Sequence, residues 1–317
     1  MSKIVKSFKN LTKHDVAIAG GKGASLGEMT RAKIPVPPGF VVLSSAYEKF
    51  LEETDLGIEI EAALSKVDYK NIETIERTSE KIRDLIHDAN FPTDIGNKIK
   101  NEFLKLNTQY VAVRSSATAE DSSIASWAGE LESYLNVTEK NLLESVKKCW
   151  SSLFTPRAIF YRYEKNLHKQ KVFVSVVIQT MIQSEISGIC FTVHPVTENR
   201  NQMVIEAGYG LGEAIVGGKI TPDTYIIHKH KKRKGFKILD KNISKQEKMI
   251  TKINGKTKDT KVLKAKQEKQ KLTDKQILEL AEICQRIEKH YNYPQDIEWA
   301  LEKGKFYIVQ SRPITTL

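Results

Sequence analysis

P-Q-D-I-E-W-A-L-E-K-G-K-F-Y-I-V-Q-S-R-P-I, Pro294 to Ile314, is the stretch on which the reading of this chain turns. Two runs of alternating character flank a glycine turn, the pattern of a β-hairpin. With Lys303-Gly304-Lys305 as the loop, Leu301 stands opposite Tyr307, Glu298 opposite Gln310 and Asp296 opposite Arg312. Side chains alternate faces along a strand, so Ile297, Trp299, Leu301, Tyr307 and Val309 form an apolar face. Asp296, Glu298, Gln310 and Arg312 share the other. Two readings fit that polar face. It is either the solvated side of a sheet or a set of hard oxygen donors beside an anion-binding guanidinium. The second would suit Mg²⁺, which takes oxygen ligands and shares itself with substrate phosphates.

A chain of 317 residues has room for one to three compact units. Its 40% hydrophobic and 28% charged content is that of a soluble globular protein. No apolar run approaches the roughly 18 residues of a membrane span, and the opening M-S-K-I-V-K-S-F-K-N has no apolar signal core. Cys149, Cys190 and Cys284 are far apart and form no C-x-x-C. That argues against structural zinc and a disulfide framework, and for the cytoplasm. The net charge of +11 is local: residues 229–271 hold 17 Lys or Arg against 4 Asp or Glu, a net of +13, and the rest of the chain is at −2. With Phe236 its sole aromatic and its lysines scattered, the segment reads as a solvated surface and not as a nucleic-acid site.

The pattern along the chain suggests two α+β lobes, a helix-rich one over 1–170 and a strand-rich one over 171–317. A helix is expected over 22–33, stopped by I-P-V-P-P-G, then a buried strand over 39–43 and a helix from Ser44 or Ser45 to Glu53. Residues 58–106 and 138–163 are helical in pattern. Four short β-rich runs lie between Val172 and His228. Thr273 to Tyr291 is a helix opened by a Thr273/Gln276 capping box.

Near the start, V-A-I-A-G-G-K-G-A-S-L-G-E-M (Val16 to Met29) sets Lys22 in a glycine cluster. It matches neither the Walker-A spacing nor the dinucleotide fingerprint. Lys22 alone is either a phosphate clamp or a surface charge. Tyr110 to Arg114 is a strand that delivers its arginine into the hydroxyl-rich S-S-A-T-A-E-D-S-S-I-A-S-W-A-G-E. A lone arginine there is a ligand group or an ion-pair partner. Gly208-Tyr209-Gly210-Leu211-Gly212 is either a phosphate-side loop or only a turn, with Glu213 behind it a weaker candidate for the phosphate side. His194, in T-V-H-P-V-T, is read as structural.

Six motifs in order (A-G-G-K-G-A-S-L-G-E-M, P-V-P-P-G-F, V-R-S-S-A-T-A-E-D, S-G-I-C-F-T, P-Q-D-I-E-W-A and I-V-Q-S-R-P-I-T) resemble one family. It is the N-terminal ATP-binding domain of phosphoenolpyruvate synthase, pyruvate phosphate dikinase and rifampin phosphotransferase. The resemblance runs from about residue 10 to Thr315 and weakens over 50–105 and 229–271. It implies a two-lobed ATP-grasp architecture with mixed or antiparallel sheets and ATP in the cleft between the lobes. It further implies that Lys22 and Arg114 contact the phosphates and that Arg312 binds the phosphate tail. On the same resemblance, Glu298 and Gln310 would hold Mg²⁺, with Asp296 beside them. It likewise implies that Gln179 and Met181 meet adenine and that Gly129 and Ser133 lie near the nucleotide. In the family a separate domain carries the histidine that accepts the phosphoryl group, and none of the seven histidines here has that setting. The implied reaction is the first half only, ATP to a histidine carrier on another polypeptide. The alternatives are the ATP-binding part of a rifampin phosphotransferase-like enzyme and a regulatory module that binds nucleotide without turnover.

Overall fold

Leu11, Leu26 and Met29 are buried around a helix that starts earlier than the glycine pattern suggests. In the computed structural model, which describes residues 3–117, 121–122, 125–126, 132–167, 172–229 and 235–315, that helix is α1 (Val16–Arg31), interrupted at Gly20. The chain divides into two units: Met1–Glu28 with Pro38–Met181, and Met29–Pro37 with Ile182–Leu317.

The first unit is built on an antiparallel five-stranded sheet. Its strands are β1 (Val5–Ser7), β2 (Gly39–Val42), β3 (Val111–Ala117), β6 (Ser133–Val137) and β7 (Val174–Thr180), in the order β1-β2-β7-β3-β6. Two-residue strands β4 (Asp121–Ser122) and β5 (Ala125–Ser126) pair with each other between β3 and β6. The stretch expected to be helical over 58–106 is three helices, preceded by α2 (Ser44–Glu53): α3 (Leu56–Leu64), α4 (Ile72–Asp88) and α5 (Thr93–Lys105). Asn71 caps α4 by accepting from the Glu73 amide at 3.0 Å, and Pro92 precedes α5. The run over 138–163 likewise breaks into α6 (Leu142–Ser151) and α7 (Pro156–Glu164). Thr155 caps α7, and Pro156 at its first position needs no amide partner. These helices bury one face of the sheet around Trp150, Phe50, Val113, Val176 and Ile178.

The second unit has a six-stranded antiparallel sheet in the order β11-β10-β9-β8-β14-β15. Its strands are β8 (Ile186–Phe191), β9 (Gln202–Tyr209), β10 (Asp223–Lys229), β11 (Phe236–Asn242), β14 (Gln295–Glu302) and β15 (Lys305–Pro313). The short α8 (Glu213–Val216) follows β9, and α9 (Asp274–Tyr291) buries Ile277, Leu280, Cys284 and Ile287. Thr273 and Gln276 form the expected capping box. The lysine-rich segment has regular structure in its described residues. It supplies β11 and a separate hairpin of β12 (Lys248–Ile253) and β13 (Lys256–Lys261), turning at Asn254-Gly255. Asn-Gly between alternating runs is the strongest short hairpin signal, and the lysines flanking it obscured the pattern.

The terminal hairpin forms with a corrected register. Its turn is the two residues Lys303 and Gly304, with φ of 50° and 73°, so Leu301 faces Phe306 and Trp299 faces Ile308. A bulge then inserts one extra residue, after which Glu298 pairs with Gln310 and Asp296 with Arg312 as expected. The apolar face therefore uses Phe306 and Ile308, 4% and 0% exposed, in place of Tyr307 and Val309.

Candidate functional site

In the first unit, the face of the sheet away from the helical core carries the polar candidates. Ser116 donates to the Ala19 carbonyl at 3.1 Å and accepts from the Gly23 amide at 3.3 Å, while Ser175 donates to the Ile18 carbonyl at 2.8 Å. These bonds fix which way β3 and β7 point. Alternation then puts Arg114 on the face of Ser116, and Gln179 on the face of Ser175. Arg114 sits beside Ser133 and Val177, and Gln179 beside Ala112 and Gly39.

The same serines pin the glycine loop. Gly20 has φ 67° and ψ 171°, a region essentially reserved for glycine. It ends one helical turn so that a second begins at Gly21 with half-buried Lys22 in its first turn. The positive N-terminal end of the resumed helix and an ammonium group are both suited to anions. Lys22 and Arg114 thus lie on elements locked together by Ser116. Gln179 is 2% exposed and its Nε2 has no hydrogen-bond partner among the described residues, a buried donor that an incoming acceptor would satisfy. Met181, next but one, is half-buried, its amide donating to the Tyr110 carbonyl at 3.0 Å. Ser133 is exposed. Gly129 lies outside the described residues.

In the second unit, Glu298 pairs with Gln310 and Asp296 with Arg312 on the edge hairpin. Arg312 Nε and Nη2 both reach Asp296 Oδ2, at 2.9 and 2.8 Å. The guanidinium expected to clamp phosphate thus also anchors the neighbouring carboxylate. Burial raises the Asp296 carboxyl above the ordinary range, Arg312 opposes that rise, and Glu298 adds to it. Two strands away, Glu206 falls in the same row: β9 pairs it with Ile189, which β14 pairs with Glu298. Burial raises its carboxyl too, and the Asp296 charge adds to the rise. Sequence reading passed over Glu206, although its even spacing from Val204 in Q-M-V-I-E-A marks it as a carboxylate on a strand face.

The donor chemistry of Asp296, Glu298 and Gln310 fits a hard cation. Among the described residues no three His, Cys, Asp or Glu are grouped to hold a metal by themselves. An ion taken up here would complete its shell with oxygens from outside the protein, which is how Mg²⁺ commonly binds.

Two secondary candidates are structural. The Gly210 carbonyl accepts from Ser184 and Ser187 Oγ at 2.9 and 2.6 Å. Gln246, 1% exposed, clasps Tyr209 through both its amide and its carbonyl, at 2.8 and 3.0 Å. Glu213 opens the four-residue α8 and is exposed. His194 Nδ1 accepts from the Val196 and Thr197 amides at 3.3 Å each, stitching its own loop. No helix among the described residues is long and apolar enough to cross a membrane.

Two antiparallel α+β units, a glycine loop bearing a lysine and a carboxylate–carboxamide hairpin define an ATP-grasp type of domain. The chain belongs to the pyruvate phosphate dikinase AMP/ATP-binding domain family, whose pattern matches residues 16–317. It is 47% identical, over 99% of its length, to a probable phosphoenolpyruvate synthase of Methanocaldococcus jannaschii. It is 42% identical over 99% to the phosphoenolpyruvate synthase of Pyrococcus furiosus, and 39% identical over 100% to the rifampicin phosphotransferase of Bacillus subtilis. The chain spans only 27%, 44% and 36% of those three proteins.

Proposed function

We propose that this domain carries out the ATP- and Mg²⁺-dependent half-reaction of a phosphoenolpyruvate synthase-like phosphotransferase. In it a phosphoryl group passes from ATP to a histidine on a separate carrier polypeptide. The observation that carries this reading is the Glu298–Gln310 pair beside Asp296–Arg312, oxygen donors and a guanidinium on one strand face.

The roles follow from charge. Lys22 and Arg114 offset phosphate charge, and Arg312 does so while holding Asp296 in place. Glu298 and Gln310, with Asp296, offer oxygens to Mg²⁺, which when bound would neutralise charge on the transferring group. Gln179 offers its buried amide to the base, with Met181 beside it, and Ser133 and Gly129 line the nucleotide. Phosphoryl transfer asks for positioning and charge neutralisation more than for covalent chemistry, which suits a set with no nucleophile of its own. The acceptor imidazole nitrogen attacks phosphorus, and the P–O bond to the leaving nucleotide oxygen breaks. None of the chain's own histidines is assigned that part: His194 is occupied by its loop, and His87 bonds Ser151 at 2.9 Å.

The test is transfer of radiolabel from Mg·ATP to a separately supplied histidine carrier domain. Lys22→Ala and Glu298→Ala should each lower labelling about a hundredfold or more. Undiminished labelling in both variants would sink the assignment. A thermal shift with ATP and no labelling of any carrier would instead favour a binding module without turnover.

A further inference from the structure

On the helical side of the first unit's sheet lies a cavity of about 1200 Å³ that the phosphoryl-transfer reading does not use. It is bounded by α2, α3, the stretch to Tyr69, Phe154 and α7. Leu51, Leu64 and Phe154 give it an apolar wall. Its two most buried polar side chains are Tyr47 and Arg162, 1% and 7% exposed. The Tyr47 hydroxyl is buried and has no hydrogen-bond partner among the described residues. The Arg162 charge acts on both Tyr47 and Tyr69, so guanidinium and phenols share one electrostatic environment.

The remaining charge on the wall has the opposite sign and a different depth. Glu52, Asp55 and Glu61 are exposed and Glu48 half-buried, so the mouth is acidic and the interior basic. A guanidinium at low dielectric attracts a carboxylate or phosphate, and a phenol hydroxyl adds a hydrogen bond to the same oxygen. A mouth of carboxylates repels a simple anion and favours a cationic group. We propose that this cavity is a binding site for an apolar zwitterion, its anionic end against Arg162 and Tyr47 and its cationic end at the acidic mouth. A short apolar peptide with free termini has that chemistry. The site faces away from the Lys22, Arg114 and Gln179 surface and stands independently of the roles given to those residues.

The probe is the tripeptide Leu-Leu-Phe with free termini, titrated into the full chain and followed by calorimetry. Its C-terminal amide should bind at least tenfold more weakly, through loss of the anion. Its N-acetyl form should bind several-fold more weakly, through loss of the cation. Arg162→Gln should abolish the difference between acid and amide. Gly57→Leu is the control for folding: Gly57 lines the cavity, and a Cβ there meets nothing within 4 Å, so a longer side chain at this position has room at the cavity wall without a backbone clash. That variant should keep its circular dichroism spectrum and lose binding of all three peptides. Equal affinity for acid and amide, undiminished binding in Gly57→Leu, or no binding of the free tripeptide to the unaltered chain would each overturn the assignment.

Discussion

A Cβ on Gly20 would stand 2.2 Å from Ser116 Oγ and 2.4 Å from the Ser116 carbonyl oxygen. The glycine loop and β3 are therefore fitted to each other at contact distance, and the fit is what holds Lys22 in its place. Gly20→Ala combines that clash with backbone angles alanine avoids, so we expect a loss on the order of 3 kcal/mol or more. Urea denaturation measures it, and a loss below about 1 kcal/mol would show that the loop can move away from β3. Ser116→Ala removes both bonds but keeps the space, and should cost about 1–2 kcal/mol.

Arg312→Gln removes the charge that opposes the upward push of burial on Asp296. The carboxyl should rise further, and protonation takes away an oxygen donor as pH falls. Mg²⁺-dependent nucleotide affinity in the variant should accordingly drop more steeply between pH 8 and pH 6 than in the parent. Titration calorimetry at the two pH values reads this, and a loss that is the same at both would mean Arg312 acts on the ligand alone.

Glu206 titrates above the ordinary carboxylate range in the folded chain because burial, and then Asp296, disfavour its charge. A group whose folded pKa is raised contributes stability fully at pH below its unfolded pKa, and loses it as pH rises through the folded value. Glu206→Gln should therefore stabilise the second unit at pH 7. The gain should vanish near pH 4, where the parent carboxyl is protonated in both states. Thermal unfolding at the two pH values, without nucleotide, provides the check.

The Lys271–Asp223 pair is wholly buried, with Nζ 2.7 Å from Oδ1. Asp223 also accepts from Tyr225 OH, the Lys271 amide and the Ser244 amide, at 2.8, 2.9 and 3.0 Å. Removing one partner strands a charge without water, so Asp223→Ala should cost about 3–5 kcal/mol. Adding Lys271→Met should recover much of that loss. A double variant no more stable than Asp223→Ala would show that the hydrogen bonds, and not the charge, are what is missed.

Much of the candidate site's pairing was legible because Glu298–Gln310 and Asp296–Arg312 are cross-strand neighbours on one hairpin. The expected turn was one residue too long, and the bulge opposite the Glu298–Trp299 step adds one residue back. Glu298–Gln310 and Asp296–Arg312 thus came out correctly while Leu301–Tyr307 did not. A bulge leaves no mark in alternating hydrophobicity, which is why Tyr307 and Val309 were set on the wrong face. The strong amphipathic helices were readable as helix but not as separate elements, since their breaks rest on single residues such as Asn71 and Pro156. Ser116 could not be foreseen at all: its partners Ala19 and Gly23 lie more than 90 residues away. The glycine cluster marks Lys22 as a candidate in the sequence, and only the tertiary fold shows what supports its loop.

The first unit's sheet runs β1-β2-β7-β3-β6, so its middle strand, Val174–Thr180, is the last of its strands to leave the ribosome. Until it arrives, β2 and β3 each present an open edge and the valines that β7 would cover, a surface prone to pairing with another chain. A fragment cut at residue 170 would keep that defect permanently. Expression of the first unit by itself therefore has to extend through Met181, and a nascent chain stalled between these points is where chaperone capture should concentrate.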